Sequence, residues 1–183
     1  MAEPVRPTLA ESELAQLGRD VVAAAYLTGR FVLRSGAISN YYFDKYRLTT
    51  RPALLRRVGV ALAALVSPGV DRIAGPELGA VPLATAVSLE TGIPSVFVRK
   101  TAKGYGTDRG FEGEIAAGER VLVVEDVLTT GSEAIRAATA LRDFGAEVVE
   151  ILGVIDREEG AAANIAAAGF RFRALFSKSS LGL

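Results

Sequence analysis

Cysteine and histidine are both absent from the 183-residue chain, and each absence closes off chemistry. Without cysteine there are no disulfides, no thiolate zinc sites and no Cys nucleophile, and the redox compartment stays undetermined. Without histidine there is no Ser-His-Asp triad, no imidazole base and little basis for a transition-metal site. A metal used here would be hard and oxygen-ligated, such as magnesium. An excess of charge of either sign is lacking too: Lys and Arg number 21, Asp and Glu also 21, and the net charge is zero. No global basic field points to nucleic acid, so any polyanion bound is small and met locally. The opening residues, MAEPVRPTLAESELAQL, include acids and no long apolar run. Neither a signal peptide nor a membrane anchor is expected, and cytoplasm is the default.

What the chain does have is apolar content, at 50% of residues, enough for one well-packed domain over 1–183. Thr8 and Glu11 form a candidate capping box for a first helix that continues to about Leu27. FVLR (31–34) and YYFDKY (41–46) read as a hairpin around SGAISN. Pro52 suits the first turn of a second helix with an apolar stripe at Leu55, Val58, Leu62 and Leu65. From Asp71 onward, short apolar runs alternate with Ala-rich helical stretches, the pattern of parallel strands with crossover helices. Strands are predicted at 72–75, 95–98, 121–124 and 148–155, with helices near 79–90 and 132–144, the latter closed by Gly145. FRFRALF (170–176) alternates as a half-exposed closing strand, and AAANIAAAG reads as a short helix. Residues 101–118 hold five glycines and read as a long loop of the kind that forms a lid. The fold class expected is α/β, a central mostly parallel sheet flanked by helices, with residues 1–50 as an N-terminal helix and hairpin before a 51–183 core.

The most informative string is VLVVEDVLTTGSE, residues 121–133. Burying Glu125 and Asp126 unpaired would be costly, so a plain core strand has no reason to end in them. In an open parallel sheet, ligands bind beyond the C-terminal strand ends, where the next helix offers free N–H groups to an anion. Leu128, Thr129, Thr130, Gly131 and Ser132 occupy that position. The hydroxyls and the backbone around Gly131 suit a phosphate, and the two acids suit a sugar diol or a nearby magnesium ion. Together the parts describe a ribose 5-phosphate. Taken singly, a TTG tripeptide is usually just a capped turn. The GKS or GKT of a P-loop is missing, and no GxGxxG follows a predicted strand.

The string resembles the phosphoribosyl diphosphate (PRPP) signature of type I phosphoribosyltransferases, which displace diphosphate from C1 of PRPP with a nitrogenous base. The resemblance implies that Glu125 and Asp126 meet the ribose hydroxyls and that 129–132 hold the 5-phosphate. It narrows to the orotate phosphoribosyltransferases at three further places. GRFVLRSGAISNYYFD (29–44) is similar to that family's base-site hairpin, with Arg34 at a position usually Lys and Tyr42 and Phe43 as the aromatic pair; the N-terminal segment would then form a hood over the base. VRKTAKGYG (98–106) looks like the catalytic loop. It implies catalytic roles for Arg99, Lys100 and Lys103, which would stabilise the leaving diphosphate, together with Tyr105 (usually His) and Asp126. VIDREEG (154–160) matches the segment whose arginine, here Arg157, recognises the orotate carboxylate through a bidentate fork. Alone, it would read as a surface turn with Arg157 paired to Glu158 or Glu159. The loop GPELGAVP (75–82) departs from many relatives in having no lysine, leaving the backbone around Leu78, Gly79 and Ala80 to meet diphosphate.

The resemblance therefore implies a PRPP-dependent transferase making orotidine 5-monophosphate, with magnesium carried on PRPP. It also implies a homodimer whose lid loop serves the neighbouring site, with no nucleic-acid or membrane partner. A transferase for another base, purine or uracil, and a non-catalytic PRPP-sensing regulator are the alternatives.

Overall fold

The computed structural model describes residues 9–32, 36, 38–100 and 110–183. Helix α1 (Glu11–Ala25) leads into an antiparallel hairpin, β1 (Tyr26–Val32) with β2 (Ile38–Phe43), followed by a short helix α2 (Lys45–Thr49) and by α3 (Pro52–Ala63). The core then runs β3 (Arg72–Pro76), α4 (Val81–Thr91), β4 (Ser95–Val98), β5 (Phe111–Glu112), β6 (Arg120–Leu128), α5 (Ser132–Phe144), β7 (Glu147–Asp156), α6 (Ala161–Ala167) and β8 (Phe172–Ser177). A 3-10 turn at Ser179–Leu181 follows.

The six core strands lie in the order β5-β4-β3-β6-β7-β8. All neighbours are parallel except β5, which runs antiparallel to β4. Strands covered on both faces need apolar residues on both, and these have them. Ile73, Leu122, Val124, Leu152 and Val154 pack with α1, α3 and α4, while Ala74, Val121, Val123 and Ile151 pack with α5 and α6. From β3 the chain crosses to β4 on one side and returns to β6 on the other. The sheet therefore changes direction between β3 and β6, and the crevice beyond their C-terminal ends is where an open α/β sheet takes a ligand.

Several boundaries differ from those the sequence pattern predicts. Glu11 begins α1 rather than lying inside a Thr8 cap: the helix opens after Ala10, whose N–H donates to Glu13 Oε2 at 2.9 Å, and Thr8 lies outside the described residues. The first strand starts at Tyr26, five residues before the predicted run at Phe31. The second stops at Phe43, because Asp44 becomes the N-cap of α2, accepting from Arg47 N–H, and Lys45 and Tyr46 turn helical. Within the predicted 101–118 loop, Phe111–Glu112 pairs with β4. The most consequential difference is β6, which continues through Glu125 and Asp126 to Leu128 because its pairing with β7 persists as far as Leu128 opposite Asp156. The acids belong to the strand. Among the described residues no helix is long and apolar enough to cross a membrane.

Candidate active site

The rim of the sheet at β3, β6 and β7 collects most of the sequence-predicted residues. Glu125 and Asp126 are 6% and 2% exposed, yet they lie at the floor of a small hollow of about 90 Å³ shared with Leu128, Thr129, Gly131 and Ser132. Gly131 takes a left-handed conformation (φ 76°) before α5, which begins without a side-chain cap. The first N–H groups of α5 therefore face the hollow unclaimed by a capping side chain, an arrangement that favours an anion. Asn164 Nδ2, from α6, donates to the Thr130 carbonyl at 2.9 Å and fixes the turn from behind.

A second hollow, about 230 Å³, adjoins the first and is lined by Pro76, Glu77, Leu78, Gly79 and Lys100, with Lys45, Glu125 and Glu133 common to both. Leu78 and Gly79 thus lie where the sequence expects them, in the loop after β3, whose Glu77–Leu78 peptide is cis. Gly79 has to be glycine: a Cβ there would collide with the Asp126 carboxylate and sit 2.9 Å from Lys45 Nζ. The root of the predicted lid is tied down on both sides. The Lys100 N–H donates to Glu77 Oε1 at 2.6 Å, and Arg136 Nη1 on α5 donates to the Arg99 carbonyl at 2.9 Å. The Arg99 guanidinium pairs with Glu112 on β5 at 3.3 Å. Lys103, Tyr105 and Arg34 lie outside the described residues. A larger cavity, about 580 Å³, runs between α3 and α4 past Pro52, Leu55, Pro82 and Leu89. Its lining is mostly apolar, with Arg56, Thr85 and Glu90 as the polar members and no acid pair beside an uncapped helix start, so chemistry and not size selects the strand rim.

Burial shapes the charges here. Loss of solvent pushes the Glu125 carboxyl up to about 8, and the adjacent Asp126 carboxylate adds to the rise. Glu125 is consequently mostly protonated at neutral pH. Its Oε1 accepts from the Asp126 N–H at 3.1 Å, while Oε2 is buried with no hydrogen-bond partner among the described residues. Asp126 Oδ1 accepts from the Val127 N–H at 2.6 Å, and the Lys45 ammonium stands 2.9 Å from Oδ2 and 3.4 Å from Oδ1. Burial pulls the Lys45 pKa down, but the Asp126 carboxylate outweighs it and holds the ammonium above its ordinary value. Among the described residues no group of three or more His, Cys, Asp or Glu forms a metal cage.

The β6–β7 register brings the DREEG segment alongside, with the Arg157 N–H donating to the Leu128 carbonyl at 2.9 Å. The Arg157 side chain is only 10% exposed and pairs with Glu159 at 2.7 Å. Its Nη2 donates to the Tyr41 hydroxyl at 2.7 Å, and that hydroxyl donates to Glu159 Oε1 at 3.0 Å. Arg157 Nε is buried without a hydrogen-bond partner among the described residues. Glu158 is turned away at φ 59° and accepts from the Ser179 N–H and hydroxyl, which hold its carboxyl below the usual range.

These features sit on a chain whose residues 47–170 match the phosphoribosyl transferase domain family. An orotate phosphoribosyltransferase of Thermococcus gammatolerans is 48% identical over 162 residues, covering 87% of this chain and 86% of its own length. The chain belongs to the orotate phosphoribosyltransferases. Among solved structures, the orotate phosphoribosyltransferase of Mycobacterium tuberculosis H37Rv in complex with Fe(III) dicitrate superposes with a TM-score of 0.84 at 38% identity, covering 93% of this chain and 99% of that one. A structure of that protein in complex with PRPP gives 0.79 at 36% identity, with coverage of 93% and 99%. As a member of this family, the chain has the type I phosphoribosyltransferase fold, a mostly parallel six-stranded sheet between helices with a small hairpin sheet beside it.

The sequence reading missed Tyr41, Lys45, Glu77 and Arg136. Tyr41 was recoverable from strand alternation, which puts it on the face of Phe43 and sends Tyr42 to the other. Tyr41 stacks on Tyr26 and meets the edge of buried Phe43, whereas Tyr42 is exposed and packs near Phe31. It is Tyr41, and not Tyr42, that reaches Arg157. Lys45 carried no local signal, because only the fold brings α2 to the end of β6.

Proposed function

We propose that this protein transfers the phosphoribosyl group of PRPP to orotate, giving orotidine 5-monophosphate and diphosphate, a cytoplasmic step of pyrimidine biosynthesis. The observation that carries this reading is the convergence of two different anion sites on one rim. Beside Glu125 and Asp126 is an uncapped helix start suited to a sugar phosphate, and next to it lies Arg157, a buried guanidinium suited to a carboxylate. In the reaction, an orotate nitrogen forms a bond to C1 as the bond from C1 to the diphosphate oxygen breaks; diphosphate leaves with its electron pair, and the proton of the orotate N–H passes to the departing diphosphate. Positioning and electrostatics do the work. The α5 start and 129–132 hold the 5-phosphate, Glu125 and Asp126 take the ribose hydroxyls, and Leu78 and Gly79 present backbone to diphosphate.

Arg99, Lys100 and Lys103 offset the charge that grows on the leaving group. Tyr105, a neutral donor at pH 7, assists at the lid. Arg34 and Phe43 border the base under the hairpin hood. Magnesium carried on the diphosphate would lower that group's charge; the hard carboxylate oxygens of Asp126 fit it, and those of Glu125 would fit it on loss of the proton that burial holds there at neutral pH. The working unit is a homodimer in which each lid covers the neighbouring site. Diphosphate release measured with orotate, uracil and adenine in parallel tests the reading. Turnover with orotate alone is expected; turnover with another base instead moves the protein to another transferase, and none with any base sinks the catalytic reading.

A further inference from the structure

The two hollows on the rim share two acids, Glu125 and Glu133, and one cation, Lys45. Lys45 enters from the first residue of α2, outside the sheet, and lines both. The loop it reaches, GPELGAVP, contains no lysine or arginine, and its glycine approaches so closely that a Cβ on Gly79 would stand 2.9 Å from the Lys45 ammonium. A diphosphate lying along that loop needs cationic partners. The larger hollow is lined by the acids Glu77, Glu125 and Glu133, against which the described lining sets only Lys45 and Lys100.

Pairing with Asp126 does not exhaust Lys45. Its side chain is 37% exposed, and an ammonium has three donors, so it can hold Asp126 and an incoming anion together. A lysine whose sole duty was to neutralise Asp126 would gain nothing from standing open to the neighbouring hollow beside Gly79.

We infer that Lys45 is a diphosphate-binding residue, supplying from α2 the cationic contact that the loop after β3 lacks. The inference rests on the PRPP reading of the site and adds to it a residue on an element outside the sheet. Lys45 would bridge Asp126, on the sugar side, to the leaving diphosphate, so that both halves of PRPP are registered against one ammonium.

Calorimetric titration of the full chain with magnesium diphosphate, ribose 5-phosphate and PRPP separates this role from a structural one. Replacing Lys45 with Met should weaken magnesium diphosphate about tenfold or more, the value of one charge-assisted contact, and leave ribose 5-phosphate within about twofold. Lys45→Arg should restore most of the diphosphate affinity. In turnover, KM for PRPP should rise while KM for orotate stays unchanged. Equal weakening of ribose 5-phosphate and diphosphate, or no change in either, would overturn the assignment and leave Lys45 as the neutraliser of Asp126. Should Lys45→Met not fold, Lys45→Gln and Lys45→Arg carry the same comparison. Wild-type protein that binds diphosphate through Lys45 but does not use orotate would keep this assignment and remove the base, whereas wild-type protein binding neither PRPP nor diphosphate would overturn both.

Discussion

A carboxyl that must stay protonated to remain buried makes folding a proton-binding event, and Glu125 is that group. In the unfolded chain it titrates near its ordinary 4.5, and in the folded protein near 8. Between those values the folded form holds a proton that the unfolded form releases, so the contribution is fully present below the lower value and is lost as pH rises through the upper one. The loss is on the order of a few kcal/mol, at about 1.4 kcal/mol per pH unit. Urea unfolding should show stability falling from pH 5.5 to 8.5, and Glu125→Gln should flatten that slope; equal slopes would mean that Glu125 is ionised in the fold. Beside it, the Tyr41 hydroxyl both accepts from Arg157 and donates to Glu159. Removing it in Tyr41→Phe loses roughly 0.5–1.5 kcal/mol of positioning, so KM for orotate should rise about two- to thirteenfold with KM for PRPP unchanged. Arg157→Ala should exceed that effect, and a Tyr41→Phe enzyme with altered PRPP kinetics instead would sever the hairpin from base recognition. The acids, the hydroxyl-rich turn and Arg157 were legible because each lies within a contiguous motif. Lys45 was not, since its partner is 81 residues away and no local pattern records such a distance; for Tyr41, alternation gives the face of the strand but not the partner, Arg157, 116 residues away.

At the level of elements, the periodic signals held and the interruptions misled. Helix α5 matches its predicted span of 132–144, bounded by Gly131 and by Gly145 at φ 104°, because both ends carry residues with a conformational reason to stop. Strand β6 outran its prediction because two acids break an apolar run, although backbone pairing with β7 is indifferent to side-chain polarity. Strand β7 hides the same lesson in Glu150, 2% exposed in the middle of an apolar sequence. Arg173 on β8 grips it with Nε at 2.8 Å and Nη2 at 2.6 Å, and Nη2 also donates to the Leu65 carbonyl just after α3 at 2.9 Å. One guanidinium thus joins two strands to a helix end. Arg173→Met leaves a buried carboxylate without its fork. Because Arg173 is 44% exposed, solvent screens part of the loss, and about 2–3 kcal/mol is expected in place of the larger cost of a fully buried pair. The paired change Glu150→Gln with Arg173→Met should recover part of it. Equal stability of wild type and Arg173→Met in urea would show the fork to be ornamental.

For the whole molecule, the alternation of apolar runs with helical stretches was enough to predict a parallel sheet, while the strand order that creates the crevice between β3 and β6 was accessible only through family resemblance. Composition and pattern also leave open whether one chain suffices. A lid that serves the neighbouring protomer makes a prediction that no single-chain enzyme can meet. In the proposed enzyme Lys103→Ala removes a cation of the lid and Asp126→Asn removes an acid of the sheet rim, and each alone should be nearly inactive. In a mixed dimer, one site combines the intact lid of the Asp126→Asn chain with the intact rim of the Lys103→Ala chain, and the other site collects both lesions. Random re-association puts half of the dimers in this mixed form, so activity should return to about a quarter of the wild-type level. Light scattering should give a particle of twice the 19.2 kDa chain mass. Were each lid to close over its own site, every site in the mixture would keep one lesion and mixing would restore nothing, however stable the dimer.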